Sequence, residues 1–249
     1  MANNLVSIIV PIHNAEKFIE DTILSVKSQT DKNWELILVD DASTDKSREL
    51  IQSYCDEQIR LITSDKSRGA ANTRNTGLQN AQGRFITFLD ADDLWDPDKL
   101  QKQKDFMHEK HCAFSFTSYE YAGSDGIGVD KIVSVPARLT YRQALKNTTI
   151  FTSTVMFDTT KIPVALINMP DVPSEDTATW WKILRAGYTA YGLQEALTLY
   201  RRSEGTLSSN KFTPVRRILY LYRNVEHLSI LYSFYCFCFY AFHAVWRRL

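Results

Sequence analysis

The sequence predicts an α/β fold with a mostly parallel, Rossmann-like sheet flanked by helices. Three observations carry the prediction. Short apolar, β-branched runs alternate with helix-spaced segments through the first ~95 residues, the pattern of successive βαβ units. The runs are apolar at consecutive positions, as in strands covered on both faces. Two of them stop in carboxylates, and ligands of such sheets bind outside the carboxyl ends of the strands.

Leu5 to Val10 is the first run, and Pro11 is expected to close it. Ala15 to Gln29 follows with Phe18, Ile19, Ile23 and Val26 at helical spacing. Glu35 to Val39 is a second strand ending in Asp40-Asp41, and Lys46 to Tyr54 a second helix. Arg60 to Thr63 is a short third strand. Ala70 to Ala81 is a third helix, with Gly83 read as its stop signal. Arg84 to Leu89 is the fourth strand and runs into Asp90-Ala91-Asp92-Asp93. A helix should begin near Pro97, where a missing N–H costs nothing, and reach about Lys110. Ala113 to Tyr121, Lys131 to Val135, Phe151 to Phe157 and Gly192 to Tyr200 have strand character. Short and longer helices are expected at Tyr141 to Lys146 and Glu175 to Arg185, and beyond Pro214 nearly everything is helix-compatible.

The 249 residues carry 29 basic and 29 acidic side chains, and this zero net charge excludes a dedicated nucleic-acid binder. The sum conceals a division. Met1 to Tyr200 holds 21 basic and 27 acidic residues, whereas Arg201 to Leu249 holds 8 and 2 and contains 11 of the 30 aromatics. Four cysteines without a C-x-x-C pair suit a reducing compartment. The first residues lack a basic leader segment and meet Pro11 early, so most of the chain is expected in the cytoplasm.

Asp90, Asp92 and Asp93 place three carboxylates within four residues after a buried strand, where like charges repel unless a cation neutralises them. Oxygen ligands in an open cluster suit Mg²⁺ or Mn²⁺, which share their shell with waters and phosphates. Neither common Gly-rich phosphate cradle is present, so a metal and basic side chains must hold a phosphorylated ligand. Arg68, Arg74, Arg84, Arg201 and Arg202 are candidates for that pairing, although each alone also reads as a surface arginine. Asp40-Asp41 either starts a turn or accepts from a base or ribose. Glu175-Asp176 either complements a helix dipole or supplies a general base. Trp180 and Trp181 suit the core, with one of them left available to a sugar. The five histidines form no metal-ligand pattern, and no nucleophile motif is present.

Taken together, VSIIVPIHNAEKFIEDTILSVKSQT, WELILVDDASTDKS, RGAANTRNTGLQNAQGRFITFLDADDLW, the Glu175-Asp176 pair and YRRSEGTLS resemble glycosyltransferase family 2, over roughly Leu5 to Ser209. These are inverting, nucleotide-sugar-dependent enzymes of the GT-A fold. The resemblance implies a catalytic domain over 1–209, with a nucleotide-binding part at about 1–95 and an acceptor-binding part at about 96–209. It implies that Pro11, Asp40, Asp41 and Arg68 hold the nucleotide of a UDP-sugar. Asp90-Ala91-Asp92 matches the D-x-D motif, so Asp92 would bind Mn²⁺ or Mg²⁺, Asp90 would assist and Asp93 would extend the acidic loop. Asp176 would be the catalytic base, with Glu175 beside it, and Arg201 and Arg202 would close over donor or acceptor. A non-catalytic nucleotide-sugar-binding or scaffold subunit would share the strand-end aspartates but lack the base.

Residues 210–249 form a basic, aromatic-rich helical tail. Leu228 to Trp246 contains no Lys, Arg, Asp or Glu, yet is basic on both flanks, which conflicts with a span under the positive-inside rule. Ser229, Ser233, Cys236, Tyr240 and His243 make a thin polar stripe. An in-plane helix on the cytoplasmic side of the cell membrane fits this pattern, and would suit a lipid-linked acceptor in cell-surface polysaccharide assembly. Packing on the catalytic domain or on a second copy in a homodimer is the alternative.

Overall fold

The computed structural model of the chain describes residues 4–202 and 212–246. The expected boundary at 209/210 and most of the last motif lie outside these residues.

The first half follows the expected alternation: β1 (Val6–Ile12), α1 (Ile19–Lys27), β2 (Trp34–Asp41), α2 (Ser47–Gln52), β3 (Ile59–Ser64), α3 (Gly69–Asn80) and β4 (Phe85–Phe88). After the acidic loop come β5 (Leu94–Trp95), α4 (Lys99–Glu109), β6 (Phe114–Ala122), β7 (Gly128–Val133), β8 (Arg138–Leu139) and α5 (Tyr141–Ala144). A single 3₁₀ turn at Thr152–Thr154 leads into β9 (Met156–Asp158), α6 (Val164–Ile167), α7 (Glu175–Arg185) and β10 (Ala190–Arg201). The tail holds α8 (Phe212–Tyr220), a π-helical turn at Leu221–Val225 and α9 (Ile230–Trp246).

One ten-stranded sheet runs β3-β2-β1-β4-β9-β6-β10-β5, with β7 beside β6 and β8 beside β10. β1 pairs in parallel with β2 and β4, and β2 with β3. β9 is antiparallel to both β4 and β6, so β6, and β10 parallel to it, point the same way as the first four strands. The carboxyl ends of β1, β2, β4, β6 and β10 therefore share one edge of the sheet. The turn that enters the reversed strand β9 stands on that edge too.

The consecutive apolar residues have the predicted cause. Val6, Ile8, Val10 and Ile12 of β1 pack with α1, α2 and α4 on one face, while Ile9 packs with α3 and α7 on the other. Two details differ from the sequence reading. Pro11 does not end β1; it pairs opposite Val39, and the strand continues to Ile12. Gly83 does not cap α3, because a Cβ there would lie 2.7 Å from the Leu5 carbonyl and the Ser7 nitrogen, so its role is close backbone approach. Gly77 allows a similar approach of α3, since a Cβ would meet Ile9 at 2.4 Å. The expected strand over Phe151 to Phe157 is half turn, which proves important at the site.

Trp180 and Trp181 are both core residues, so neither is left to a sugar. Trp180 packs among Phe88, Phe114 and Phe157, and Trp181 stacks on Tyr222 with ring centroids 5.3 Å apart. The tail is thereby fastened to α7. Glu226 completes the attachment by accepting from Arg185 at 2.7 Å and from the Tyr141 hydroxyl.

The polar stripe of α9 faces inward. Ser233 and Cys236 are buried against the catalytic domain, whereas Leu231 is 84% exposed and Ile230, Phe234, Tyr235, Phe239 and Phe242 are exposed with it. The middle of the stripe therefore meets protein, and the apolar side of the helix meets the surroundings. Among the described residues no helix is long and apolar enough to cross a membrane.

Candidate active site

Three loops at the carboxyl edge build a cleft of about 340 Å³ lined by Pro11, His13, Phe18, Asp41, Arg74, Asp90 and Asp92, among others. The β1–α1 and β2–α2 loops are laced together. Asn14 Oδ1 accepts from the Thr44 N–H, Ser43 Oγ accepts from the Asn14 N–H, and Asp45 accepts from the Glu16 N–H. Asn14 and Ala42 both have left-handed backbones, at φ 52° and 57°. Ala has no side-chain hydrogen bond to offset that strain, and such residues concentrate where a site is over-determined.

Asp41 ends β2 at the cleft and accepts from the N–H groups of Arg68 and Gly69 and from the Ser67 hydroxyl. Burial alone would raise its pKa, but these bonds outweigh it and hold the carboxyl below its usual range. Asp40 does not reach the cleft. It is fully buried, accepts from Arg48 Nε at 2.6 Å and stands, with Asp41, on a smaller neighbouring cleft. Arg68 begins α3 by its backbone, and its exposed side chain borders that smaller cleft between β2 and β3.

The acidic loop sorts its three aspartates. Asp93 is wholly buried, accepting from Ser153 Oγ at 2.5 Å and from the Arg201 N–H at 3.2 Å. Burial, then the charges of Asp90 and Asp92, raise its pKa well above the usual value. It anchors the loop and does not face the cleft, contrary to its expected place among the metal ligands. Thr22 of α1 adds two bonds, to the carbonyls of Ala91 and Asp93. Asp92 projects into the cleft, its pKa pushed up to about 6 by burial and by Asp90. Asp90 is met by Arg74 at 2.6 Å.

Arg74 is the residue that the sequence pattern ranked too low. Its guanidinium is buried and bridges Asp90, in the loop after β4, to Glu175 Oε1 at 2.8 Å on α7. Burial opposes its charge, but Asp90 and Glu175 more than compensate and raise its pKa. The signal that could have found it is its helix position: Arg74 sits about one turn before Gly77, the residue that lets α3 approach β1 closely. Glu175 has a raised pKa, from burial and from Asp176. Asp176 accepts from the Thr152 hydroxyl at 3.1 Å and from the Thr177 N–H at 2.6 Å. Ser174, just before the pair, is left-handed at φ 56°. The 3₁₀ turn therefore serves both sides, with Thr152 on Asp176 and Ser153 on the acidic loop.

Arg201 and Arg202 part company. Arg201 ends β10 buried, paired with Asp21 at 2.9 Å and lying over the Phe18 ring, so it does not stand in a closing loop. Its Nε and Nη1 lack a partner among the described residues. Arg202 is exposed and lies 4.3 Å over the Tyr121 ring.

A divalent cation fits this donor set. Asp92 and Asp90 both line the cleft and offer hard oxygens. No three His, Cys, Asp or Glu side chains among the described residues converge as a cage, so an ion would complete its shell from phosphate and water.

Residues 7–157 match the family described as Glycosyl transferase family 2. The chain belongs to glycosyltransferase family 2. A family member from Bacillus subtilis (strain 168), the glycosyltransferase TuaG assigned to teichuronic acid biosynthesis, is 45% identical over 98% of each chain. The UDP-Glc:alpha-D-GlcNAc-diphosphoundecaprenol beta-1,3-glucosyltransferase WfgD of Escherichia coli is 39% identical over 87% of this chain and 85% of its own. Among solved structures, S. aureus TarS 1-349 in complex with UDP-GlcNAc superposes with TM-score 0.68 at 23% identity, over 88% of this chain and 66% of that one. The mannosyltransferase PcManGT from Pyrobaculum calidifontis, in complex with GDP-Man and Mn²⁺, gives 0.70 at 20%, over 92% and 66%. The fold is accordingly the GT-A fold of this family, and the chain is a glycosyltransferase.

Proposed function

We propose that this family 2 enzyme transfers a sugar, with inversion, from a UDP-sugar to a hydroxyl of a lipid-linked saccharide during cell-surface polysaccharide assembly. The observation that carries the reading is the Arg74 bridge, which ties Asp90 of the cleft to Glu175, the neighbour of Asp176 on α7. The names of the relatives support the donor and acceptor class, since WfgD uses UDP-Glc and a GlcNAc diphosphoundecaprenol.

In this reading Pro11, His13 and Asp41 receive the nucleotide. Asp92, assisted by Asp90, would hold Mn²⁺ or Mg²⁺, and the bound ion would supply Lewis-acid stabilisation of charge on the departing diphosphate. Asp176 takes the proton of the acceptor hydroxyl as that oxygen attacks the anomeric carbon from the face opposite the diphosphate. Thr152 keeps the carboxylate turned toward the acceptor side. Asp93 and Ser153 keep the loop still, so that Asp92 need not be ordered during the reaction. The test is a panel of nucleotide sugars with Mn²⁺ or Mg²⁺, scoring slow donor hydrolysis without acceptor. A UDP-sugar should be consumed and chelation should stop it; no turnover of any nucleotide sugar would sink the reading.

The outward face of α9 supports a peripheral position on the cytoplasmic side of the membrane. Its exposed aromatics are accompanied by Lys146, which lies 4.8 Å over Tyr235, and Arg216 and Arg223 of the same tail are exposed as well, a composition suited to anionic headgroups. Leu231→Glu combined with Phe234→Glu should abolish flotation with phosphatidylglycerol vesicles, because both side chains are exposed and their loss leaves the core intact. Truncating the tail is a poorer test, since it removes Glu226 from α7. A dimer broken by the same pair, without vesicle binding, would assign the face to a second copy instead.

A further inference from the structure

We infer that Tyr119, Phe151 and Tyr200, with Arg202 seated on the buried Tyr121, form the acceptor subsite, the three rings receiving a pyranose and Arg202 the diphosphate attached to it. The inference rests on the lipid-linked acceptor reading and assigns it a place. The four rings form one cluster: Phe151 lies 4.6 Å from Tyr200 and 5.2 Å from Tyr119, and Tyr121 lies 5.6 Å from Tyr200. They belong to neither of the two hydrophobic cores that flank the sheet. Tyr121 is buried, whereas Tyr119, Phe151 and Tyr200 are half-buried and keep part of their surface exposed.

Topology puts the cluster where an acceptor must stand. Tyr121 and Tyr200 pair across β6 and β10 near the carboxyl ends of both strands. That is the edge which carries Asp41 and Asp90, but farther along the sheet than the nucleotide cleft. Phe151 directly precedes Thr152, whose hydroxyl is bonded to Asp176. Tyr200 directly precedes Arg201, whose N–H is bonded to Asp93. The cluster is thus tied by adjacent residues to the base on one side and to the acidic loop on the other.

The chemistry matches a glycosyl diphosphate. The C–H face of a pyranose is apolar and packs on aromatic faces, while its edge hydroxyls stay free for the base. Arg202 has its guanidinium laid over Tyr121 and makes no ion pair with a carboxylate among the described residues. A stacked guanidinium keeps its outer N–H groups available for two oxygens of a phosphate.

The experiment measures binding by ligand-observed NMR with two probes, α-GlcNAc diphosphate on a short alkyl chain and the matching alkyl glycoside without diphosphate, with UDP and Mg²⁺ present. The wild-type chain should bind the diphosphate probe about tenfold more tightly, the usual scale of a charge-assisted bidentate contact. Arg202→Gln should erase that preference. Tyr119→Leu should weaken both probes and Tyr119→Phe, which keeps the ring, should restore them. The unfolding midpoint and UDP binding of each variant verify its fold. A wild type without preference, an Arg202→Gln variant that keeps it, or equal binding by the two Tyr119 variants would overturn the inference. Failure of donor hydrolysis, measured separately without acceptor, would instead count against the glycosyltransferase reading of the cleft.

Discussion

Asp176→Asn is expected to lower sugar transfer by about 10²–10⁴-fold, the usual contribution of a positioned general base. The substitution is nearly isosteric, and an amide oxygen can still accept from the Thr152 hydroxyl or the Thr177 N–H. The α7 helix and the cleft should therefore persist. What is lost is a group able to take the acceptor proton. Because Asp176 does not line the cleft proposed to receive the nucleotide, UDP affinity measured by calorimetry should remain that of the parent chain. Wild-type turnover in this variant would exclude Asp176 as the base and leave Glu175 as the candidate.

Arg74→Met should damage both stability and activity. The arginine is 8% exposed and serves two partners, Asp90 and Glu175, which lie 26% and 20% exposed. Removing one member of a buried ion pair costs about 3–5 kcal/mol because the charge left behind is unpaired. The opening of the cleft to water on the Asp90 side moderates this, so about 2–4 kcal/mol is expected. For a chain of this size that corresponds to roughly 5–15 °C in the unfolding midpoint. Mn²⁺ should recover part of the loss, since an unpaired Asp90 adds an oxygen ligand beside Asp92. Arg74→Lys should not rescue, because one ammonium cannot span both carboxylates as the planar guanidinium does. A midpoint unchanged in Arg74→Met would show that the bridge has no structural role.

Much of this is legible in the amino-acid sequence. The first four strands and three helices follow the sequence reading within a few residues, because two-sided burial writes itself as consecutive apolar positions. The Asp41 and Asp90-Ala91-Asp92 positions were legible because parallel strands deliver their ends to one edge. Helix α7 matched from Glu175 to Arg185, since an acidic first turn and a following glycine mark both ends.

Other assignments depended on side-chain direction, which one-dimensional spacing does not carry. Asp40 and Asp41 are adjacent, yet neighbours in a strand point to opposite sides, and only Asp41 faces the cleft. Asp92 and Asp93 divide within a turn, one toward the cleft and one toward Ser153. Arg74 reads as one surface arginine among several until α3 is laid on β1, which carries it between two carboxylates that stand 16 and 101 residues from it in the chain. Thr152 and Ser153 were hidden inside a run that looks like strand.

The sequence by itself determined the family, the parallel sheet and the division of charge between body and tail, because these rest on composition, period and the order of motifs. Folding settled which carboxylates face the cleft, that Arg74 joins the acidic loop to α7, and that Ser233 and Cys236 of α9 are turned inward. The inward turn of α9 comes from packing, with the Ser233 hydroxyl paired locally to the Ser229 carbonyl, and the first two share another cause. A buried charge or hydroxyl must find its partner in space, and in this chain those partners come from elements far apart in sequence.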